Sequence, residues 1–100
     1  MTFEWDEEKN EINRQKHKIS FETAALVFND PFYIEIFDQE HSDRENRFIA
    51  IGKVSDLLFV VFTERLNNIR LISARLATEA ERRLYYDQNS HYQQRSTAHR

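Results

Sequence analysis

Residues 59–86 read FVVFTERLNNIRLISARLATEAERRLYY, and how this stretch folds decides the rest. Two apolar runs flank the polar break Leu66-Asn67-Asn68, and asparagine tolerates the positive φ that tight hairpins need. Pairing register then decides which side chains share a face. A two-residue Asn67-Asn68 turn pairs Arg65 with Arg70. A three-residue loop pairs Arg65 with Ile69, Thr63 with Leu71 and Val61 with Ser73. That second register gathers Leu58, Val60, Phe62, Ile72 and Ala74 on a nearly pure apolar face, and Thr63, Arg65, Ser73 and Arg75 on the other. The face that must be buried selects the register, so the three-residue loop is expected. Thr78 and Glu81 form a T-x-x-E capping box opening a C-terminal helix, with Ala80, Leu84 and Tyr85 inward.

Upstream, Phe3 and Trp5 alternate with polar residues and suggest a short edge strand. Asp6 has the position of an N-cap, with Glu7 and Glu8 in the first turn of a helix reaching about His17. Ile12 is the only aliphatic residue of this helix, so its core contact is narrow, through Trp5, Ile12 and the stems of Lys9 and Lys16. Ser20 caps a second helix whose Phe21, Ala24, Ala25 and Phe28 form one apolar stripe, stopped at Asn29-Asp30-Pro31. Alternation predicts strands over 32–37 and 47–54, and the nearly continuous apolar run 57–65 reads as a central strand. The predicted architecture is α+β: two N-terminal helices, a four-stranded antiparallel sheet with room for a short N-terminal edge strand, and a C-terminal helix. Residues 1–87 make one domain, and the polar stretch 88–100 reads as a disordered tail.

Composition narrows the function classes. The chain has no cysteine, which removes disulfides, a thiolate nucleophile and cysteine-ligated zinc. No apolar run approaches the ~18 residues of a membrane span, and the acidic start MTFEWDEEKN does not resemble a signal peptide, so the cytoplasm is the expected location. No cofactor is expected. The loop 38–46 crowds Asp38, Glu40, His41 and Asp43 together, but their spacing matches no metal motif, and no metal is expected either. The net charge of −3 divides into −7 over residues 1–45 and +4 over 46–100. A local anion site within an acidic chain is therefore available, centred on the arginines of 59–86.

Four segments match a known pattern: F-x-W-D-x-x-K-N-x-x-N-x-x-K-H-x-I-S-F at 3–21, R-F-x-x-I-G at 47–52, V-V-F-T-E-R at 60–65 and I-R-L-I-S-A-R-x-A-T-x-x-E-R-x-x-Y at 69–85. In these the chain resembles the BrnT toxins of type II toxin–antitoxin systems. The resemblance implies a RelE-like fold, a ribonuclease that arrests growth, and a BrnA antitoxin partner with a ribbon-helix-helix DNA-binding domain. Operator DNA would then be bound only by the toxin–antitoxin complex.

Metal-independent RNA cleavage needs a base for the 2′-OH, an acid for the leaving 5′-oxygen, and cations for the phosphate. His17 is the candidate for proton transfer, with Glu81 or Tyr85 in its place otherwise. Arg65 and Arg75 are the candidate catalytic phosphate clamp, with Lys16, Thr63, Ser73 and Arg82 as further contacts to RNA. Arg65 and Arg75 could instead pair with internal acids, and Glu81 is a cap before it is a catalyst. A different class of function fits the same surface: a non-catalytic module that docks an antitoxin-like partner and leaves RNA intact.

Overall fold

The computed structural model describes the backbone of residues 1–98 and the side chains of residues 1–90. Its elements are β1 (Thr2–Glu4), α1 (Glu7–His17), α2 (Phe21–Ala25), β2 (Ile34–Phe37), β3 (Arg47–Val54), β4 (Asp56–Arg65), β5 (Asn68–Leu76) and α3 (Glu79–Ala98). The strands form one sheet in the order β1-β5-β4-β3-β2. The α+β class and the order of elements match the sequence reading. The strand count does not: the N-terminal edge strand is a full fifth member, and it runs parallel to β5, making the sheet mixed. The chain thus enters at the β5 edge and continues along it into α1.

Helix α1 begins where Asp6 caps it, its Oδ1 accepting from the amides of Glu8 (2.8 Å) and Lys9 (3.3 Å). It ends at Lys18, which takes a left-handed conformation (φ 62°) and donates its amide to the Arg14 carbonyl. Its attachment is polar, contrary to the expected Ile12 contact. Ile12 is 56% exposed, whereas Asn10 and Asn13 are buried. Asn13 Nδ2 donates to the carbonyls of Ala74 and Ile19, each at 2.9 Å, and its Oδ1 accepts the Ala74 amide at 3.2 Å. The carboxamide thereby completes the edge of β5 as another strand would. Asn10 receives the Phe21 amide (2.8 Å) and donates to Glu22 (2.9 Å), tying α1 to the start of α2.

Helix α2 is shorter than its stripe suggested. After Ala25 the chain tightens into a 3-10 turn, Leu26–Asn29, so Phe21, Ala24 and Val27 are buried while Ala25 and Phe28 are half-buried. Gly52 makes this approach possible: a Cβ there would meet Val27 Cγ1 at 2.7 Å. Beneath these helices lie Ala50, Leu58, Val60, Phe62, Leu71 and Ala74.

The β4–β5 hairpin carries both a confirmation and a correction. Val61 pairs with Ser73 and Val60 with Ala74, as the expected register has it. Nearer the turn the pairs are Phe62–Leu71, Thr63–Arg70 and Arg65–Asn68, one residue out of step. A β-bulge at Val61/Phe62 absorbs the difference. Ile72 is the extra residue. Leu71 therefore occupies the buried face in its place, and half-buried Ile72 lines the opposite face with Ser73. The turn needs only Leu66 and Asn67, and its positive φ (55°) falls on Leu66 rather than on an asparagine.

Helix α3 packs on the other side of the sheet, where Tyr85 joins Ile51 and Leu57 in a second small core. Ala80 is exposed and Leu84 is 37% exposed, so of the three expected inward residues only Tyr85 is buried. Its phenol donates to Asp30 Oδ2 at 2.7 Å. Asp30 also accepts the amides of Phe32 and Lys53, joining α3 to the segment that leads into β2 and to β3. The helix continues past residue 87, the expected end of the domain. Asn89 Nδ2 still docks on the Phe32 carbonyl at 3.0 Å. Residues 99–100 of the expected tail lie outside the described residues.

Asn13→Ala strands the Ala74 amide and carbonyl, and each orphaned buried group costs roughly 1–3 kcal/mol. The variant is expected to melt about 10 °C or more below the parent, whereas Ile12→Ala shifts the midpoint by only a few degrees. Thermal denaturation of the two variants checks this, and equal shifts would show that α1 is held by ordinary apolar burial.

Candidate active site

The sheet face away from α1 and α2 is only partly covered by α3. A groove of about 380 Å³ remains open there. Ile49, Phe59, Val61 and Ile72 line it from β3, β4 and β5, and Ser73 and Arg47 supply polar groups. Asp38, Glu40 and His41 border it on one side and Arg75 on another.

The loop carrying His41 is fixed at its base. Asp38 donates its amide to the Arg47 carbonyl at 2.8 Å. The Ser42 hydroxyl donates to the Asp38 carbonyl (2.5 Å) and accepts the Arg47 amide (2.9 Å). Between these bonds the chain makes a 3-10 turn, Gln39–His41, which swings the imidazole back over Asp38. His41 Nδ1 lies 3.1–3.2 Å from both Asp38 carboxylate oxygens. The carboxylate is largely buried and the imidazole exposed. A carboxylate at Nδ1 favours the tautomer with the proton on that nitrogen, which leaves Nε2 free to accept one.

Arg75 is held from three directions. Its guanidinium carbon stands 3.9 Å above the centre of the Phe59 ring. Nη1 and Nη2 donate to the two Glu81 oxygens at 2.8 and 2.9 Å, and Nη1 also reaches the Leu76 carbonyl. Glu81 is at once this partner and the cap of α3: its Oε1 accepts the Thr78 amide at 2.8 Å while its own amide donates to Thr78 Oγ1. The hydrogen bonds from Arg75 are the main reason the Glu81 carboxyl titrates below its ordinary range, with the Thr78 amide assisting. The Nε side of Arg75 has no hydrogen-bond partner among the described residues. One fork of the guanidinium is therefore free for a bidentate anion contact.

The residues singled out in the sequence separate on this frame. Arg65 shares the open face with Arg75, but the span from Phe59 to Arg65 is roughly 20 Å at ~3.3 Å per residue. The two cannot clamp one phosphate. Arg65 is instead paired side-on with Glu45, at 2.8 and 3.1 Å. Thr63 is fully buried on the central strand, between Arg47 of β3 and Arg70 of β5, and so closed to a ligand. Tyr85 is buried and committed to Asp30, and burial, then Asp30, pushes its phenol pKa far up. Glu81 is held ionised with both oxygens occupied, which suits orienting Arg75 and not donating a proton. Ser73 lines the groove as expected, and Arg82 is half-buried in the second turn of α3. His17 and Lys16 end α1, which is fastened at Ala74, so they stand level with the Arg75–Leu76 end of β5. Neither side chain makes a hydrogen bond or ion pair with any described residue.

What the sequence reading passed over is the Asp38–His41 pair and Arg47. Their signal was the D-x-x-H spacing, which brings the two side chains together only if the loop makes a tight 3-10 turn. Among the described residues no cluster of three His, Asp or Glu side chains is arranged to hold a metal ion.

A family model described as "Ribonuclease toxin, BrnT, of type II toxin-antitoxin system" matches residues 5–81, from the foot of α1 to the Glu81 cap. The chain belongs to the BrnT family. It is thus a member of a family of type II toxin–antitoxin ribonucleases, whose toxins are paired with an antitoxin. Among solved structures it is similar to the ribonuclease toxin BrnT of Brucella abortus, at 24% identity and a TM-score of 0.59, over 79% of this chain and 99% of that one. At that identity the likeness speaks for the fold, and it agrees with the α+β layering. No curated relative matches the chain. No described helix is long and apolar enough to cross a membrane. The BrnT match spans every groove element from β2 to the first turn of α3.

The Arg75–Glu81 pair has a pH signature. A carboxyl whose folded pKa is depressed stabilises the fold fully above its unfolded value of 4.5 and loses that contribution as pH falls through the lower folded value. Glu81→Gln is therefore expected to melt well below the parent near pH 7, with the gap closing as the pH falls below 4.5. Melting curves across that range test it. A gap independent of pH would mean the capping bonds, and not the ion pair, carry the effect.

Proposed function

We propose that this chain is a metal-independent endoribonuclease that cleaves RNA in the open-face groove and thereby arrests growth. The supporting observation is the convergence on one apolar floor of a carboxylate-backed imidazole (Asp38–His41) and two guanidinium groups (Arg47 and Arg75), in a chain of a ribonuclease toxin family. His41 Nε2 removes the ribose 2′-OH proton. The 2′-oxygen then bonds to phosphorus as the bond to the 5′-oxygen breaks, giving a 2′,3′-cyclic phosphate and a free 5′-hydroxyl. The proton taken up by the imidazole returns to that leaving oxygen. The free fork of Arg75 meets the charge growing on the phosphate oxygens, and Arg47, farther along the same groove, holds the RNA backbone. Glu81 and Phe59 hold Arg75 in place, and Ser73 contacts the RNA. His17, Arg65, Lys16 and Arg82 lie outside the cleavage step in this reading.

The protein is read as acting in the cytoplasm, with the layering of a RelE-like toxin. It would be neutralised by a BrnA-like ribbon-helix-helix antitoxin, and operator DNA would be engaged only by the pair. A groove that presents two guanidinium groups also suits occlusion by an acidic antitoxin segment.

Purified protein is expected to cleave RNA in excess chelator. His41→Ala and Arg75→Ala should each lower the rate about 100-fold or more. A loss that falls on His17→Ala and spares His41→Ala would overturn the assignment of the base. Intact RNA with the parent protein, alongside capture of the antitoxin, would favour the non-catalytic docking module instead. Induced expression, scored for growth arrest in the parent and its absence in Arg75→Ala, tests the cellular consequence.

A further inference from the structure

A basic feature lies outside the groove. The acidic first half of the chain carries few cations, yet Arg14, Lys16 and Lys18 fall within five consecutive positions. They surround the junction of α1 and α2, where a separate groove of about 470 Å³ is lined by Arg14, Gln15, Lys18, Ser20 and Thr23. Neither Lys16 nor Lys18 has a carboxylate partner among the described residues. Arg14 forms an ion pair with Glu11, at 3.1 Å and with both side chains more than half exposed, a contact worth little in water, and it also lies within electrostatic reach of Glu22. The helix dipole accounts for some positive charge in the last turn of α1. It does not account for Lys18, beyond the helix end, or for a cation-lined groove with no acid in its lining.

The position of this groove ties it to the first. β1 runs parallel to β5 and α1 carries on in the same sense, with Asn13 fastened to Ala74. The last turn of α1 therefore stands beside the end of β5 that carries Arg75. Between the two lies exposed Leu76, with half-buried His17 on the inner side of α1. The other end of α1 holds Glu7, Glu8 and Glu11 and repels a polyanion. A strand leaving the cleavage groove past Arg75 thus meets attraction in one direction along α1 and repulsion in the other.

We infer that the Arg14–Lys18 groove is an outer phosphate-binding site that holds the RNA backbone after it crosses the β5 edge. It takes single-stranded RNA by its phosphates without reading bases. The inference rests on the ribonuclease reading of the open-face groove, and it predicts that longer RNA binds more tightly than a fragment filling that groove alone.

Binding is measured with RNA methylated at every 2′-oxygen, which cannot be cleaved, so the result is independent of catalysis. A trinucleotide is compared with an RNA of roughly twenty nucleotides, across a range of salt. Arg14→Gln/Lys18→Asn removes two cations, and asparagine keeps the left-handed conformation at position 18. The double variant should bind the long RNA about tenfold more weakly and flatten its salt dependence by about 1.4 in log–log slope, narrowing the gap between long and short RNA. Gln15→Lys should widen that gap. An unchanged gap in both variants, or an equal loss on long and short RNA, overturns the outer site. If the parent protein binds long RNA through this groove but cleaves none, the outer site stands and the proposed reaction falls.

Discussion

The structure depends on one carboxamide. Asn13 meets both the amide and the carbonyl of Ala74, and in doing so continues the outer edge of β5 beyond the point where β1 ends. A helix with a single aliphatic residue has little hydrophobic reason to dock. Two buried asparagines supply the reason instead, since an unmet backbone group at the sheet edge would be costly. The same bonds set the height of α1 along β5. They also fix where the Ile19 carbonyl lies, and with it the start of α2. The polar stripe Asn10, Asn13, His17 is thus the inner face of the helix, and its charged residues are left for the surface.

This explains much of what was legible in the sequence and what was not. Strands and caps were readable because alternation and the Asp6, Ser20 and Thr78 signals are local. The attachment of α1 was misread because hydrophobic pattern is blind to a helix held by hydrogen bonds. The hairpin was half readable. A register argument assumes a uniform ladder, and the bulge at Ile72 divides this ladder into two segments one residue apart. The candidate site was legible in Arg75 and Ser73, which lie beyond the bulge where the expected register holds. It was not legible in Asp38 and His41, because a charged nine-residue loop gives no periodic signal. Their pairing is made by Ser42 and the Arg47 backbone, which only the folded chain brings together.

Charge in this protein is arranged as neighbours more than as a total. Arg65, Arg70 and Arg75 each meet an acid of their own, in Glu45, Glu4 and Glu81. The first of these is half exposed and contributes little to stability. The last is sheltered, stacked on an aromatic ring and built into a helix cap. An acidic chain can in this way present oriented guanidinium groups on its working surface: carboxylates occupy one edge of an arginine and leave the other open.

The bulge at Ile72 has a consequence for how the molecule could change over time. It stands between the part of the hairpin that lines the groove, Phe59 to Val61 against Ser73 to Arg75, and the part that turns back at Leu66. A length change at the turn can be taken up by gaining, losing or moving the extra residue, without rotating Ser73 or Arg75 off their face. The hairpin tip, with its fully exposed Leu66, is thereby insulated from the groove. A changed tip in this chain would therefore leave the groove residues in register.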